Sequence, residues 1–191
     1  MNRSHLPLVI AGAFAVVLLT VLGIYLWPKE PVRPSQQELA ADFARGQQYE
    51  RGSGVNLDYF QALTWYRKAA EAGYPEAEFA LGRMTAAGRG MVRDENAAAE
   101  WYRRAAEHGF AEAQVQLAGD LLTGTGTADG KPNKIEAMKW LLIGAENMPD
   151  ELSKQVAVTT REKLANELST EERTEAARRA DEWHKQHPPI Q

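Results

Sequence analysis

Between residues 58 and 148, apolar and polar positions recur with two periods at once. Within a segment the spacing is helical. Ala62, Trp65, Tyr66, Ala69 and Ala70 fall at i, i+3, i+4, i+7 and i+8, which is one helix face. The same face returns as Ala98, Trp101, Tyr102, Ala105 and Ala106, and again as Ala137, Trp140, Leu141, Gly144 and Ala145. Trp65, Trp101 and Trp140 are therefore 36 and 39 residues apart, and "WYRKAAEAGY" at 65–74 is nearly rewritten as "WYRRAAEHGF" at 101–110. A period of this length predicts stacked two-helix units, none able to bury its apolar face alone.

Punctuation residues keep step with the hydrophobic ones. Asp58, Asp94 and Asn133, each seven residues before a tryptophan, suit helix N-caps, with Gln61 and Glu136 placed to complete capping boxes. Gly73 and Gly109 stand where the helix should end, and Pro149 after Met148 does that work in the third unit. Gly52, Gly88 and Gly124, with Gly54, Gly90 and Gly126, recur every 36 residues as turn glycines. A phosphate loop would need a third glycine or a following Gly-Lys-Ser/Thr, and neither is present. The three extra residues of the last unit fall in the loop "GTGTADGKPNK" at 124–134.

Each unit's first helix is less regular. Ala77, Ala80, Leu81 and Met84 share a side, as do Ala113, Leu117 and Leu121. Unit one keeps Ala41, Ala44 and Tyr49 but has Arg45 where the others have leucine, as a unit with no predecessor should. Large aromatics beside Ala or Gly predict close helix approach, and the three tryptophans read as core. Beyond the repeats, residues 150–167 predict one helix. A closing helix follows, entered through Ser169 with Glu172, its Ala176, Ala177, Ala180 and Trp183 covering the last unit.

The amino terminus is a different material. Residues 6–27 hold no charge over 22 positions, enough to cross a ~30 Å hydrocarbon layer as a helix, and end in Tyr25 and Trp27. The run is longer than a signal peptide's apolar region, so it reads as an uncleaved single-pass anchor following a short flank, 1–5. Residues 28–37, with three prolines, read as a stiff spacer. Lys29 and Arg33 after the span outnumber Arg3 before it, a count that leans against the usual bacterial orientation.

Composition then removes function classes. The net charge is −4, and a mildly acidic domain offers no footprint for nucleic acid. Without cysteine there is no disulfide, thiolate nucleophile or Cys-ligated metal. His184 and His187 have metal-ligand spacing on a helix but no evident third ligand, and sit at the chain end with the tail 188–191. Repeat-locked Glu71, Glu107 and Glu146 would form a ladder one unit apart, paired with bases such as Lys68 or Arg104, rather than two carboxylates facing across a cleft. No nucleophile motif is present.

The stretch "GSGVNLDYFQALTWYRKAAEAGYPEAEFALG" at 52–82 resembles the Sel-1-like repeat, a relative of the tetratricopeptide repeat. Glycines, caps, Trp-Tyr pairs and alanines all agree, over three copies at about 40–75, 76–111 and 112–147 within 38–147, followed by capping helices over 148–187. The resemblance implies an all-α, right-handed solenoid whose concave face binds a protein or peptide, with no catalysis, cofactor or small-molecule substrate. In related solenoids the first helices line that face, which makes Gln47, Gln48, Glu78, Arg83, Gln114 and Asp120 the candidate contacts. Similarity to anchored bacterial members implies an inner-membrane protein with a periplasmic domain. The alternative is a cell-wall or glycan-directed enzyme, or an accessory subunit of one, using Glu107 or Glu146. A third reading is a spacer within a membrane complex.

Overall fold

A computed structural model describes residues 34–188. The apolar segment 6–27, and most of the spacer after it, lie outside the described residues. No described helix is long and apolar enough to cross a membrane.

Eight α-helices follow one another among the described residues, with no strand: α1 (Gln36–Arg51), α2 (Tyr59–Glu71), α3 (Pro75–Ala87), α4 (Glu95–Glu107), α5 (Ala111–Thr123), α6 (Lys134–Gly144), α7 (Glu151–Glu167) and α8 (Thr170–Gln186). From α1 to α6 each helix packs on the next, so α1–α2, α3–α4 and α5–α6 form three pairs stacked in sequence. This is the expected all-helical solenoid.

The starts and stops follow local chemistry. Asp58 accepts from the N–H groups of Phe60 and Gln61, Asp94 from Ala97, and Asn133 from Glu136. The reciprocal halves expected from Gln61 and Glu136 do not form, because Glu136 turns its carboxylate to Lys139 and Arg179. Complete capping boxes occur at Ser35–Glu38 and, as expected, at Ser169–Glu172. The paired turn glycines all adopt positive φ, including Gly88 at 65° and Gly90 at 72°. The third unit stops earlier than its proline: α6 ends at Gly144, a 3₁₀ turn covers Ala145–Asn147, and Met148 is already extended as a residue before proline should be.

Packing corrects the role of the aromatics. Tyr66 is fully buried against Gly46, where a Cβ would lie 2.5 Å from the ring, and Tyr102 meets Gly82 in the same way. The third unit has Ala118 and Leu141 at these positions, a shallower hole facing a smaller knob, and both are buried. The tyrosines, not the first two tryptophans, are the deep knobs. Trp140 is buried, but Trp65 and Trp101 are half-exposed. Arg45 and Lys68 stand 5.0 and 5.2 Å from the Trp65 ring centre, and Arg104 stands 4.6 Å from that of Trp101. The departure expected of unit one is present. Ala41, Ala44 and Arg45 are exposed, whereas their counterparts Ala77, Ala80 and Leu81 are buried against unit one.

Two helices close the stack differently from a fourth repeat. α7 and α8 both pack on α6 and barely touch each other. α8 runs in the same direction as α6, with Arg179 meeting Glu136 and Trp183 meeting Trp140. Ala176 and Ala180 are buried there, Trp183 is half-buried, and Ala177, expected to cover the last unit, faces solvent. Hydrogen bonds from Arg178 and Arg179 hold the Glu175 carboxyl down at about 2, against an ordinary 4.5. A folded-state pKa that is depressed contributes stability above the unfolded value and loses it as pH falls through the folded one. The protection factors of α8 amides, which allow for the intrinsic slowing of exchange in acid, are therefore expected to fall between pH 4.5 and 2, and Glu175→Gln should abolish that step while leaving α3 and α4 unaffected.

Candidate protein-binding surfaces

Two surfaces present themselves, one on the first helices of the units and one between second helices. On the first helices, Phe43, Phe79 and Val115 occupy one repeat position and all are half-buried. Phe79 packs against Tyr102 and Phe110 at centroid distances of 5.4 and 5.2 Å, and Phe43 against Tyr66 and Tyr74 at 5.5 and 5.6 Å. Units one and two therefore each carry an aromatic cluster of their own, Phe43 and Tyr74 in one and Phe79 and Phe110 in the other, with these four rings half-open to solvent.

The six expected contacts divide. Gln48 and Arg83 are exposed and Gln47 and Asp120 half-buried; Gln47 and Arg83 follow Phe43 and Phe79 by one helical turn, whereas Gln48 and Asp120 hold the repeat position at which Met84 is buried. Arg83 reaches the nearly buried Glu50, which also takes the Tyr66 hydroxyl at 2.6 Å and Arg89 at 3.1 Å. Burial, helped by that carboxylate, raises the Tyr66 pKa; Tyr102 is pushed up to about 12, chiefly by burial. Burial likewise raises the Asp120 carboxyl, although Gln116 donates to it.

Glu78 and Gln114 are not groove residues. Glu78 is 0% and Gln114 1% exposed. The Gln114 amide donates to Ala106 O at 3.1 Å. Glu78 sits between Arg104 Nη2, 3.0 Å away in an ion pair, and His108 Nδ1 at 2.7 Å. Asp42 and Lys68 form the equivalent pair in unit one at 2.9 Å. Acid and base change together along the register: Asp42 with Lys68, Glu78 with Arg104, then neutral Gln114 with apolar Ile143. That covariation at the repeat period is the signal that would have separated these structural residues from surface ones.

The repeat-locked carboxylates also take other partners than expected. Lys68 and Arg104 are engaged by Asp42 and Glu78, while Glu107 accepts the Trp183 indole N–H at 3.2 Å. Glu146 binds Lys154 and Arg161, both at 3.1 Å, which hold its pKa below the ordinary value. A carboxyl held ionised in this way is a poor general acid.

The second surface is a cleft of about 1240 Å³ bounded by α4, the loop before α6, α6 itself and the start of α8. None of the six expected contact residues lines it.

The Sel1 repeat pattern matches residues 38–74, 75–110 and 111–147, more than half of the chain. The chain therefore belongs to the Sel1 repeat family, whose members are generally protein-interaction scaffolds and typically not enzymes. The crystal structure of a Sel1 repeat protein from Oxalobacter formigenes superposes with a TM-score of 0.56 at 35% identity, covering 64% of this chain and 89% of that one. A protective antigen of uropathogenic Escherichia coli strains displaying an SLR fold superposes at 0.54 and 23% identity, covering 82% of this chain and 42% of that one; it shows the fold alone. No curated protein matches the chain.

Proposed function

We propose that this chain is a membrane-tethered interaction scaffold. Residues 6–27 anchor it in the inner membrane, the solenoid stands on the periplasmic side, and a partner's extended segment lies along the first-helix face. The observation that carries this reading is the recurrence of a half-open aromatic pair in two successive units. Phe43 with Tyr74 and Phe79 with Phe110 are half-buried and repeat at the unit spacing, with half-buried Gln47 and exposed Arg83 one helical turn beyond Phe43 and Phe79. Aromatic edges give contact area at low entropic cost, and the polar groups between them give direction. Tethering supports a weak groove, because confinement to the bilayer raises the partner's effective concentration.

A photoactivatable residue at position 79, in cells, is expected to trap one protein reproducibly. The charge reversal Arg83→Glu should reduce that yield at least fivefold. A spacer role predicts no change on Arg83→Glu, and a glycan-directed enzyme predicts turnover of cell-wall material with nothing trapped at 79; either result would overturn the scaffold reading. Protease added to the periplasmic side should digest residues 34–188 in intact cells.

A further inference from the structure

We propose that the cleft between α4, α6 and the loop joining α5 to α6 is a second binding site, made for a positively charged peptide segment. It lies on different residues from the first-helix face and does not depend on that face binding anything.

The cleft arises from two sequence changes at one seam. Between units one and two, Gly90 of the turn rests on Tyr59 and Leu63, whose side chains occupy the space. One period later those positions are Glu95 and Ala99, a charge and a methyl group. Gly126 still seats its turn on the second helix, where a Cβ would lie 2.5 Å from that of Ala99. Asn96 accepts its N–H at 3.0 Å and Arg103 donates to its carbonyl at 2.9 Å. The three additional residues of this unit then bow outward, held by the Thr127 hydroxyl on the carbonyls of Gly124 and Lys131. A pinned turn, an enlarged bow and a missing apolar filler leave the opening.

Charge selects the occupant. Five carboxylates line the cleft, from α4, the bow, α6 and α8, against three bases. The bases are already engaged. Arg103 holds Gly126 and Glu100, Lys131 stands 3.7 Å from Asp129, and Lys134 reaches Glu167, which is not among the lining residues, at 2.7 Å. Glu136 is likewise neutralised, by Lys139 and Arg179 outside the lining, and Glu172 holds the Ser169 cap, while Glu107 gives one oxygen to Trp183 and keeps the other. The charge left without an ion-pair partner, on Glu107 and Glu172, is negative, and half-buried Ala97 and Ile135 supply an apolar wall beside it. At about 1240 Å³ the space exceeds the ~300–1,000 Å³ of small-ligand pockets and is open enough for a chain to pass. A segment carrying Lys or Arg next to an aliphatic residue fits both walls, and a polyanion fits neither.

The test uses the full chain in detergent micelles and a phage-displayed library of random twelve-residue peptides. Enriched peptides are expected to carry Lys or Arg beside Leu, Ile or Val. Their affinity should fall at least tenfold in the Glu100→Lys/Glu107→Lys variant and be unchanged by Arg83→Glu. Ala97→Phe, which narrows the cleft without altering charge, should block the same peptides. Both altered carboxylates are exposed, and an unchanged Tm would verify folding. Peptides indifferent to both cleft variants, a preference for acidic peptides, or no enrichment at all would each overturn the proposal.

Discussion

Replacing Gly82 by valine is expected to remove about 3 kcal/mol or more of stability, enough to unfold a large share of a marginally stable repeat domain. Gly82 lies in the middle of α3, where glycine is otherwise a poor choice, and Tyr102 explains its presence. An added Cβ would stand 2.6 Å from Cδ1 of that ring, and Tyr102, only 5% exposed, has nowhere to retreat. Gly119, one position out of this register, has nothing within 4 Å of its imagined Cβ. Gly119→Ala should therefore stabilise by roughly 0.5–1 kcal/mol through helix propensity alone. Urea unfolding of residues 34–191, a compact unit in its own right, measures both. The third unit suggests the rescue: Gly82→Ala with Tyr102→Leu reproduces its Ala118 and Leu141, and should recover much of the loss. Equal shifts at Gly82 and Gly119 would mean that the knob-and-hole account is wrong.

Arg104→Leu is the second large effect, expected at about 2–4 kcal/mol. Arg104 serves three elements at once. It pairs with the wholly buried Glu78 of α3 at 3.0 Å, donates to Ala70 O at the end of α2 at 3.1 Å, and lies over Trp101 on its own helix. Its loss leaves a buried carboxylate with only the half-exposed His108 beside it, and desolvation is then poorly compensated. The estimate stays below the extreme for buried pairs because 45% of the Arg104 side chain meets water. Glu78→Gln with Arg104→Ile imports the neutral solution of unit three, Gln114 and Ile143, and should cost much less than Arg104→Leu alone. A double variant as unstable as the single one would show that the charge was not the problem.

These two cases mark how far the residue pattern could be read unaided. Stacking, unit length, caps and turn glycines were legible because each depends on chemistry within a few residues and is written three times. The roles of Glu78 and Gln114 were not, because a helix face reports its period but not which neighbour covers it. In units two and three the preceding pair covers more of the first helix than in unit one, so polar positions read as surface became interior. The tryptophans failed for the opposite reason. Size suggested burial, yet the flanking Lys68 and Arg104 keep Trp65 and Trp101 near solvent, and the adjacent tyrosines take the deep position. The cleft rests on a difference between units, Tyr59 and Leu63 against Glu95 and Ala99, which an alignment made to find likeness passes over.

The way α7 and α8 straddle α6 without forming a hairpin of their own bears on how such a chain can lengthen. A duplicated 36-residue block added after residue 148 would meet two helices already seated where its partner surface should be. Inserted at an internal seam, the same block finds a matching neighbour on either side. Longer descendants of this gene are thus expected to carry their extra copies between residues 75 and 147 and to keep α7 and α8 unchanged.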